Sequence, residues 1–172
     1  MILETCRLYL REMNQEDFGS LCKILQDEEV MLAYEGIFND EEVQKWLSRQ
    51  LERYKDDGFG LWAVILKESN EIIGQCGLTM QDCNGKMVLE IGYLFQKAFW
   101  HKGYATEAAI ACKEYAFEEL NADEVYSIVR DTNIASQNVA KRNSMTITAQ
   151  FVKHYRNVDM PHLVFSVKRG GQ

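Results

Sequence analysis

The sequence predicts a single domain of the α/β (α+β) class: a mixed, mostly antiparallel sheet with helices packed against it. The 172 residues include a single proline and no linker-like stretch, as expected for one domain with one substantial core. Strand and helix patterns follow one another in the order β-α-α-β-β-β-α-β-α-β-β. A run of hairpin strands beside a β-α-β crossover requires antiparallel pairs together with a parallel pair.

The first third of the chain predicts a strand and two helices. Residues 7–12 alternate apolar and polar side chains, as a half-buried strand does. Asn14 is placed to cap a first helix, whose apolar positions recur at helical spacing. A second helix is predicted after Asn39, with Glu42 in the capping-box position. Its predicted buried stripe is Val43, Trp46, Leu47 and Leu51.

Three strands are predicted next. Residues 61–66 form a short apolar run after two glycines, and residues 71–80 form a longer apolar segment. Residues 88–95 follow an Asn84-Gly85 pair, which favours a tight hairpin turn between the second and third of these strands.

The remaining half predicts the crossover and the closing strands. A helix over 104–120 carries small residues on one face, which would let it lie close to a sheet. A strand over 125–130, a helix over 134–143 and strands over 147–155 and 162–167 complete the order. The small inner face of the first of these helices is predicted to be Ala105, Ala109, Cys112, Ala116 and Leu120.

Composition excludes several classes of function. The net charge of −7 argues against a general nucleic-acid binder and weakly favours a cationic substrate. No apolar stretch has the length of a signal peptide core or a membrane span. The five cysteines show no Cys-x-x-Cys pair and, with three scattered histidines, predict no metal site. Reduced cysteines in a cytoplasmic protein are the expectation.

The segment 99–109 carries the strongest chemical signal. An alternating apolar strand precedes it, Gly103 lies in the turn, and a helix opens directly afterwards. The first N–H groups of a helix have no internal acceptor and lie at the positive end of its dipole. A nucleotide pyrophosphate would fit there, with Lys102 nearby.

Two further groups of residues are candidates for chemistry. Alternation places Glu90, Gly92 and Leu94 on one face of their strand, although an exposed Glu beside a bulge-forming Gly is the simpler interpretation of those residues alone. A polar cluster over 131–143 exceeds what helix capping by Asn133 requires. Its basic residues, Lys141 and Arg142, either bind phosphate or lie favourably at a helix C-terminus.

Together these segments resemble the GNAT superfamily of acyl-CoA-dependent N-acetyltransferases, most closely the branch that acetylates ribosomal-protein N-termini. The turn signature corresponds to Trp100-His101-Lys102-Gly103-Tyr104-Ala105, followed by Thr106-Glu107-Ala108. His101 replaces a frequent glycine. A second signature corresponds to Asn133, Ser136, Val139 and Arg142, followed by Ser144-Met145 where the family has Gly-Phe.

The resemblance implies the GNAT fold over residues 7–168 and acetyl-CoA as cosubstrate. The composition predicts no metal, nucleic acid or membrane partner. The coenzyme would lie between strands 88–95 and 125–130, with its pyrophosphate on the backbone amides of the turn and its pantetheine arm along the first strand. The residues assigned to bind it are Tyr93, Leu94, Phe95, His101, Lys102, Gly103, Tyr104, Ala105, Thr106, Asn133, Asn138 and Arg142.

The same resemblance assigns the chemistry. Glu90 is the candidate general base, and a backbone N–H near Leu94 or Phe95 would stabilise the charge on the thioester oxygen. Many family members place a tyrosine at the position of Ala140 to protonate the thiolate. Here Ser136 is the candidate acid, or only a hydrogen-bond donor to the sulfur.

The acceptor is expected to be a primary amine, with the N-terminal amine of a ribosomal or other protein as the first candidate. A polyamine or aminoglycoside-like amine is the alternative, and a non-catalytic acyl-CoA-binding module is another. Four aromatic residues are expected to line the acceptor side, although each also fits a core position: Tyr34, Phe38, Trp46 and Tyr155. The sequence leaves open whether the protein forms a homodimer.

Overall fold

The computed structural model describes residues 1–171, which form one sheet flanked by helices on both faces. The strands are β1 (Leu3–Glu4), β2 (Leu8–Arg11), β3 (Leu61–Leu66), β4 (Glu71–Cys83), β5 (Lys86–Phe95), β6 (Glu124–Arg130), β7 (Thr146–Tyr155) and β8 (Val158–Lys168). The helices are α1 (Phe18–Leu25), α2 (Asp40–Asp56), α3 (Tyr104–Glu118) and α4 (Ile134–Arg142). The eight strands lie in the order β1-β2-β3-β4-β5-β6-β8-β7. Neighbours pair antiparallel except β5 and β6, which confirms the predicted mixed, mostly antiparallel sheet.

The element order is the predicted one, with a short β1 and three 3-10 turns added. Asn14 caps the 3-10 turn Gln15–Asp17 directly before α1, and Asn39 caps α2 with the predicted reciprocal bond from Glu42. Asn84 and Gly85 have φ angles of 53° and 91°, so the turn matches the strand twist. The hairpin therefore pairs as far as Cys83 and Lys86, beyond the predicted strand ends.

The sheet separates two cores. β3 is buried on both faces, with Trp62, Val64 and Leu66 facing the α3 side and its alternate residues facing α1 and α2. The small residues of α3 allow close packing, and the Sγ atom of Cys112 lies 3.7 Å from that of Cys76 in β4. The inner positions of α3 are Tyr104, Ala108, Ala109, Cys112 and Ala116. Of the predicted face, Ala105 is only half-buried and Leu120 lies beyond the end of the helix.

The buried stripe of α2 differs from the prediction. Val43, Leu47 and Gln50 are buried, whereas Trp46 and Leu51 are half-buried. The polar Gln50 tolerates burial because its Oε1 atom accepts a hydrogen bond from the backbone N–H of Leu61 at 3.2 Å. That bond joins α2 to the start of β3.

The sheet splits between β5 and β6. The β4–β5 ladder is continuous from Gly74–Phe95 to Cys83–Lys86, so Gly92 does not form a bulge. The parallel β5–β6 pair, in contrast, has Glu90 opposite Tyr126 as its single ladder position. Beyond that position the two strands diverge toward their carboxyl ends. Both strands lead into helices at that edge, so α3 and α4 begin beside the split.

Candidate active site

A cavity of about 700 Å³ lies between α2, the divergent strands and the β7–β8 hairpin. It brings together five predicted site residues: Glu90, Tyr93, Leu94, Asn133 and Ser136. All four residues expected on the acceptor side also line it: Tyr34, Phe38, Trp46 and Tyr155. The cavity therefore joins the predicted catalytic groups to the predicted acceptor side. We call this side, which is lined by the four aromatic residues and by charged residues of α2 and β7, the acceptor wall.

Glu90 lies at the point where β5 and β6 meet. Ile91 and Phe95 face the α3 core while Leu94 packs on the α2 side, so the predicted alternation places Glu90 toward α2. Its Oε2 atom accepts a hydrogen bond from the backbone N–H of Ile128 at 2.7 Å. Burial raises the pKa of the Glu90 carboxyl to about 7, although this backbone bond acts in the opposite direction. A carboxyl with that pKa can exchange a proton near neutral pH.

Ser136 lies across the split in the first turn of α4. The side chain of Asn133 caps this turn by accepting the Ser136 N–H at 3.1 Å. The Tyr93 hydroxyl donates to the Ser136 carbonyl oxygen at 2.9 Å, which fixes α4 against β5. Within residues 1–171 the Ser136 hydroxyl has no hydrogen-bond partner, so it is available to a molecule in the cavity.

The turn before α3 presents backbone donors. Gly103 caps the helix with a φ of 81°, a conformation that glycine adopts at no steric cost. The first hydrogen bond of the helix runs from the Glu107 N–H to the Gly103 oxygen at 3.0 Å. The N–H groups of Tyr104, Ala105 and Thr106 therefore have no acceptor in the helix. This arrangement suits an anionic group, because the dipole of the fifteen-residue helix adds positive potential there.

Arg7 and Glu107 hold this turn in place. The Glu107 carboxylate accepts from the Thr5 hydroxyl at 2.6 Å and from Arg7 Nε at 2.7 Å. Arg7 also donates to the Lys102 carbonyl oxygen at 2.9 Å, and its guanidinium lies 4.3 Å from the centre of the Tyr104 ring. The Tyr104 side chain is therefore buried under Arg7, and only its backbone N–H is available to a ligand.

A family model for the GNAT acetyltransferase domain matches residues 7–146. The chain belongs to the GNAT acetyltransferase family. It is therefore an acyltransferase of the N-acetyltransferase class. The Bacillus subtilis (strain 168) protein YkkB is 33% identical over 167 residues, which cover 96% of this chain and 95% of YkkB.

Solved structures show the same fold. A crystal structure of an acetyltransferase from Agrobacterium tumefaciens str. C58 is 26% identical, with a TM-score of 0.82 over 97% of this chain and 94% of that one. The ribosomal alpha-N-protein acetyltransferase RimL, solved in complex with coenzyme A, is 16% identical, with a TM-score of 0.78 over 97% of both chains. The GNAT fold thus extends along nearly the whole chain.

Both positions where this chain replaces a glycine of the GNAT signatures have a left-handed backbone conformation. His101, where glycine is frequent, has a φ of 61°, and Ser144, where the Gly-Phe pair begins, has a φ of 64°. Histidine enters this left-handed region more readily than most residues, which explains why the turn survives the replacement. Met145 is 3% exposed and fills the core position of the missing phenylalanine.

The other predicted coenzyme-binding residues lie outside the cavity. His101 and Lys102 are exposed, Asn138 is half-buried and the side chain of Phe95 is buried. Arg142 is exposed at the last position of α4, so the length of the helix separates it from the split. Their assignments stay predictions.

Sequence reasoning missed the charged residues of the acceptor wall. Arg49 and Arg53 line the cavity from α2, and Lys153 lines it from β7. One signal was present, because positions 46, 49, 50 and 53 follow the spacing of a single helical face. No group of three or more His, Cys, Asp or Glu side chains in residues 1–171 is arranged to hold a metal ion. No helix of that region is long and apolar enough to span a membrane.

Proposed function

We propose that this GNAT domain, residues 7–168, transfers the acetyl group of acetyl-CoA to a primary amine by direct attack. The single observation that carries the proposal is the Glu90 carboxyl, which is half-buried at the apex of the sheet split and faces the same cavity as Ser136. The cavity would thereby bring together a base (Glu90), a hydroxyl that can donate to the coenzyme sulfur (Ser136) and open space for the acceptor.

The coenzyme would be held mainly by backbone groups. The amides over 101–106 suit the pyrophosphate, because they have no acceptor in α3 and lie at its positive end. The main chain of Tyr93, Leu94 and Phe95 borders the split and has no strand partner on that side. The Phe95 carbonyl oxygen accepts the Trp100 indole N–H at 3.0 Å, so the remaining main-chain groups suit the amide groups of the pantetheine arm. Asn133, Asn138 and Arg142 would contact the coenzyme from α4.

The chemistry divides among three groups. Acetyl-CoA supplies the acetyl group as a thioester, whose C–S bond breaks as the new N–C bond forms. Glu90 accepts the proton that the amine must lose, directly or through a water molecule. A backbone N–H near Leu94 or Phe95 donates to the thioester oxygen. The Ser136 hydroxyl donates a hydrogen bond to the departing sulfur, which is a weaker role than full proton donation.

A small amine is favoured as acceptor over the N-terminus of a folded protein. Arg156, at the turn between β7 and β8, forms an ion pair with Glu42 of α2 at 3.0 Å and donates to the Glu35 carbonyl oxygen. These contacts hold the β7–β8 turn against α2, beside the cavity-lining ring of Phe38. A protein N-terminus would need an open groove there, so it stands as the second candidate, supported by the shared fold with RimL.

Acetyl transfer tests the proposal directly. Purified protein is incubated with acetyl-CoA and separate sets of peptides beginning with Ala or Ser, small amines and polyamines, and both free thiol and acetylated product are measured. Amine-dependent product supports the proposal. Acetyl-CoA binding without product from any amine would contradict it in favour of a non-catalytic acyl-CoA-binding module.

A further inference from the structure

The charge of the acceptor wall is opposite to that of the whole chain. The chain has a net charge of −7, yet Arg49, Arg53 and Lys153 all line the cavity. None of the three has a carboxylate within ion-pair distance in the part of the chain that the structure describes. A fourth cation on the wall, Arg130, is already paired with Glu35.

The anionic side chains of the wall do not compensate these cations. Asp82 keeps its negative charge and accepts the Gly85 N–H at 2.7 Å, but it is outnumbered by the cations that line the cavity. Glu90 is held by the Ile128 N–H and carries only a partial charge near neutral pH, because burial raises its pKa to about 7. His162 adds no charge there, since burial lowers its pKa. The wall therefore keeps an excess of positive charge.

Arg53 is oriented by the protein, with most of its donors left free. One of its N–H groups donates to Gln50 Oε1 at 3.1 Å, and the buried Gln50 is fixed in turn by Leu61. Its remaining N–H groups have no acceptor within residues 1–171. Burial and the neighbouring Arg49 lower the pKa of Arg53. Two guanidinium groups one helical turn apart repel each other, and a bound anion would relieve that cost.

An apolar surface lies beside this arginine pair. The rings of Tyr34, Phe38 and Trp46 meet edge to face, with centroid separations of 6.2, 6.0 and 5.8 Å. The indole N–H of Trp46 donates to Gln75 Oε1 at 2.9 Å, which fixes the ring at the cavity edge. A bound molecule thus meets an aromatic surface next to two free guanidinium groups.

We propose that the acceptor is a small amino carboxylate with an apolar body, whose carboxylate binds Arg53 and Arg49 while its amine lies at Glu90. The inference rests on the proposed acetyl transfer. It excludes polyamines and aminoglycosides as good acceptors, because their additional ammonium groups would face the same two arginines. The β7–β8 turn, which Arg156 holds against α2, favours a free small molecule over an acidic peptide.

Matched acceptors test this assignment. Phenylalanine is compared with phenylalaninamide and phenethylamine, and aminohexanoate with its amide, alongside spermidine and kanamycin. We expect kcat/KM to be at least about tenfold higher for the amino carboxylates than for their partners that lack the carboxylate, as for loss of a charge-assisted hydrogen bond. Arg53→Gln and Arg49→Gln should reduce that ratio toward unity, and Arg53→Lys should restore part of it.

The controls separate this proposal from the proposed function. Lys55→Gln removes the same charge from an exposed position of α2 outside the cavity wall, so it should leave the ratio unchanged. Acetyl transfer to the amides or polyamines at equal or higher kcat/KM would overturn the anion site and leave acetyl transfer intact. If no acceptor is turned over, the anion site is tested by calorimetric titration of the amino carboxylates into the protein with bound CoA. Binding that Arg53→Gln abolishes supports the site, and no binding overturns it.

Discussion

The turn proposed to bind the coenzyme and the wall proposed to bind the acceptor are built differently. The turn offers backbone N–H groups from one continuous segment, 101–106, at the start of α3. The wall offers side chains from α2, the 3-10 turn before it, and the strands β7 and β8. A binding site made of backbone depends on a local conformation. One made of side chains depends on how distant elements pack, so the two halves respond to different substitutions.

The largest effect is expected at Glu90, which lies where the two halves meet. Glu90→Gln should lower kcat by at least about 100-fold, because it removes the base while keeping the shape of the side chain. The affinity for acetyl-CoA should stay nearly unchanged. In the parent enzyme, activity at saturating substrates should rise with pH around a midpoint near 7, the pKa of the Glu90 carboxyl.

Steady-state kinetics and acetyl-CoA titration check this expectation. Glu68→Gln, at an exposed position in the β3–β4 turn, is the matched control and should behave like the parent. Unchanged turnover in Glu90→Gln would remove Glu90 from the chemistry.

The next largest effect should be a loss of affinity for acetyl-CoA, with no effect on the acceptor wall. Gly103→Asp places a side chain at a φ of 81° and brings negative charge to the start of α3. The dissociation constant for acetyl-CoA should rise by about tenfold to 100-fold, because strain and repulsion act together. Gly58→Asp is a close control, since Gly58 also has a φ of 81° but lies in the loop before β3. Equal affinities in the two variants, measured by calorimetry, would mean that the turn does not bind the coenzyme.

The pH dependence of the free energy of unfolding tests the raised pKa of Glu90. The pKa of Glu90 lies above its ordinary value of 4.5, so the native state binds more protons than the unfolded state between about pH 4.5 and 7. The contribution of Glu90 to the free energy of unfolding is therefore full below that window and lost as the pH rises through it. Glu90 is faced by Arg53 of α2, Lys153 of β7, Tyr34 and the Ile128 N–H of β6.

Glu90→Gln should accordingly be more stable than the parent by about 1 to 3 kcal/mol near pH 8 and nearly equal to it near pH 4.5. Urea unfolding at both pH values measures the difference. A stability difference that does not change with pH would show that the carboxyl titrates at its ordinary pKa.

The smallest effect is expected at Ser136. Ser136→Ala should lower kcat by about threefold to tenfold, in line with one lost hydrogen bond to the leaving sulfur. The KM for the amine should not change, because the proposed partner of this hydroxyl is the coenzyme sulfur and not the amine. Ser69→Ala, at an exposed turn, is the control. A fall as large as that of Glu90→Gln would instead make Ser136 the essential proton donor.

The contrast between a site made of local backbone and one made of distant side chains also explains which features could be predicted from the sequence. The caps at Asn14 and Asn39, the Asn84-Gly85 turn and the Gly103 turn are local features, and each lies where it was expected. The aromatic residues of the wall were anticipated by residue type. Arg53 was not, because a cation on an amphipathic helix normally marks a solvated face.

Contacts between distant residues were equally invisible in the sequence. The Arg7–Glu107 clamp joins residues 100 positions apart, and the bond from the Ile128 N–H to Glu90 joins β6 to β5. No local pattern encodes either contact. Both contacts depend on which strands are neighbours in the sheet, whereas the sequence predicts only the class of the fold.

The single ladder position between β5 and β6 has a mechanical consequence. Glu90 lies at the fulcrum of the split, and its carboxylate is tied to the opposite strand. When two strands pivot about such a point, displacement is largest at the open end and vanishes at the fulcrum. A coenzyme arm entering the open end would therefore displace mainly the free ends of the strands, because the Ser127 hydroxyl also ties β6 to the Ile91 carbonyl oxygen beside Glu90, at 3.0 Å.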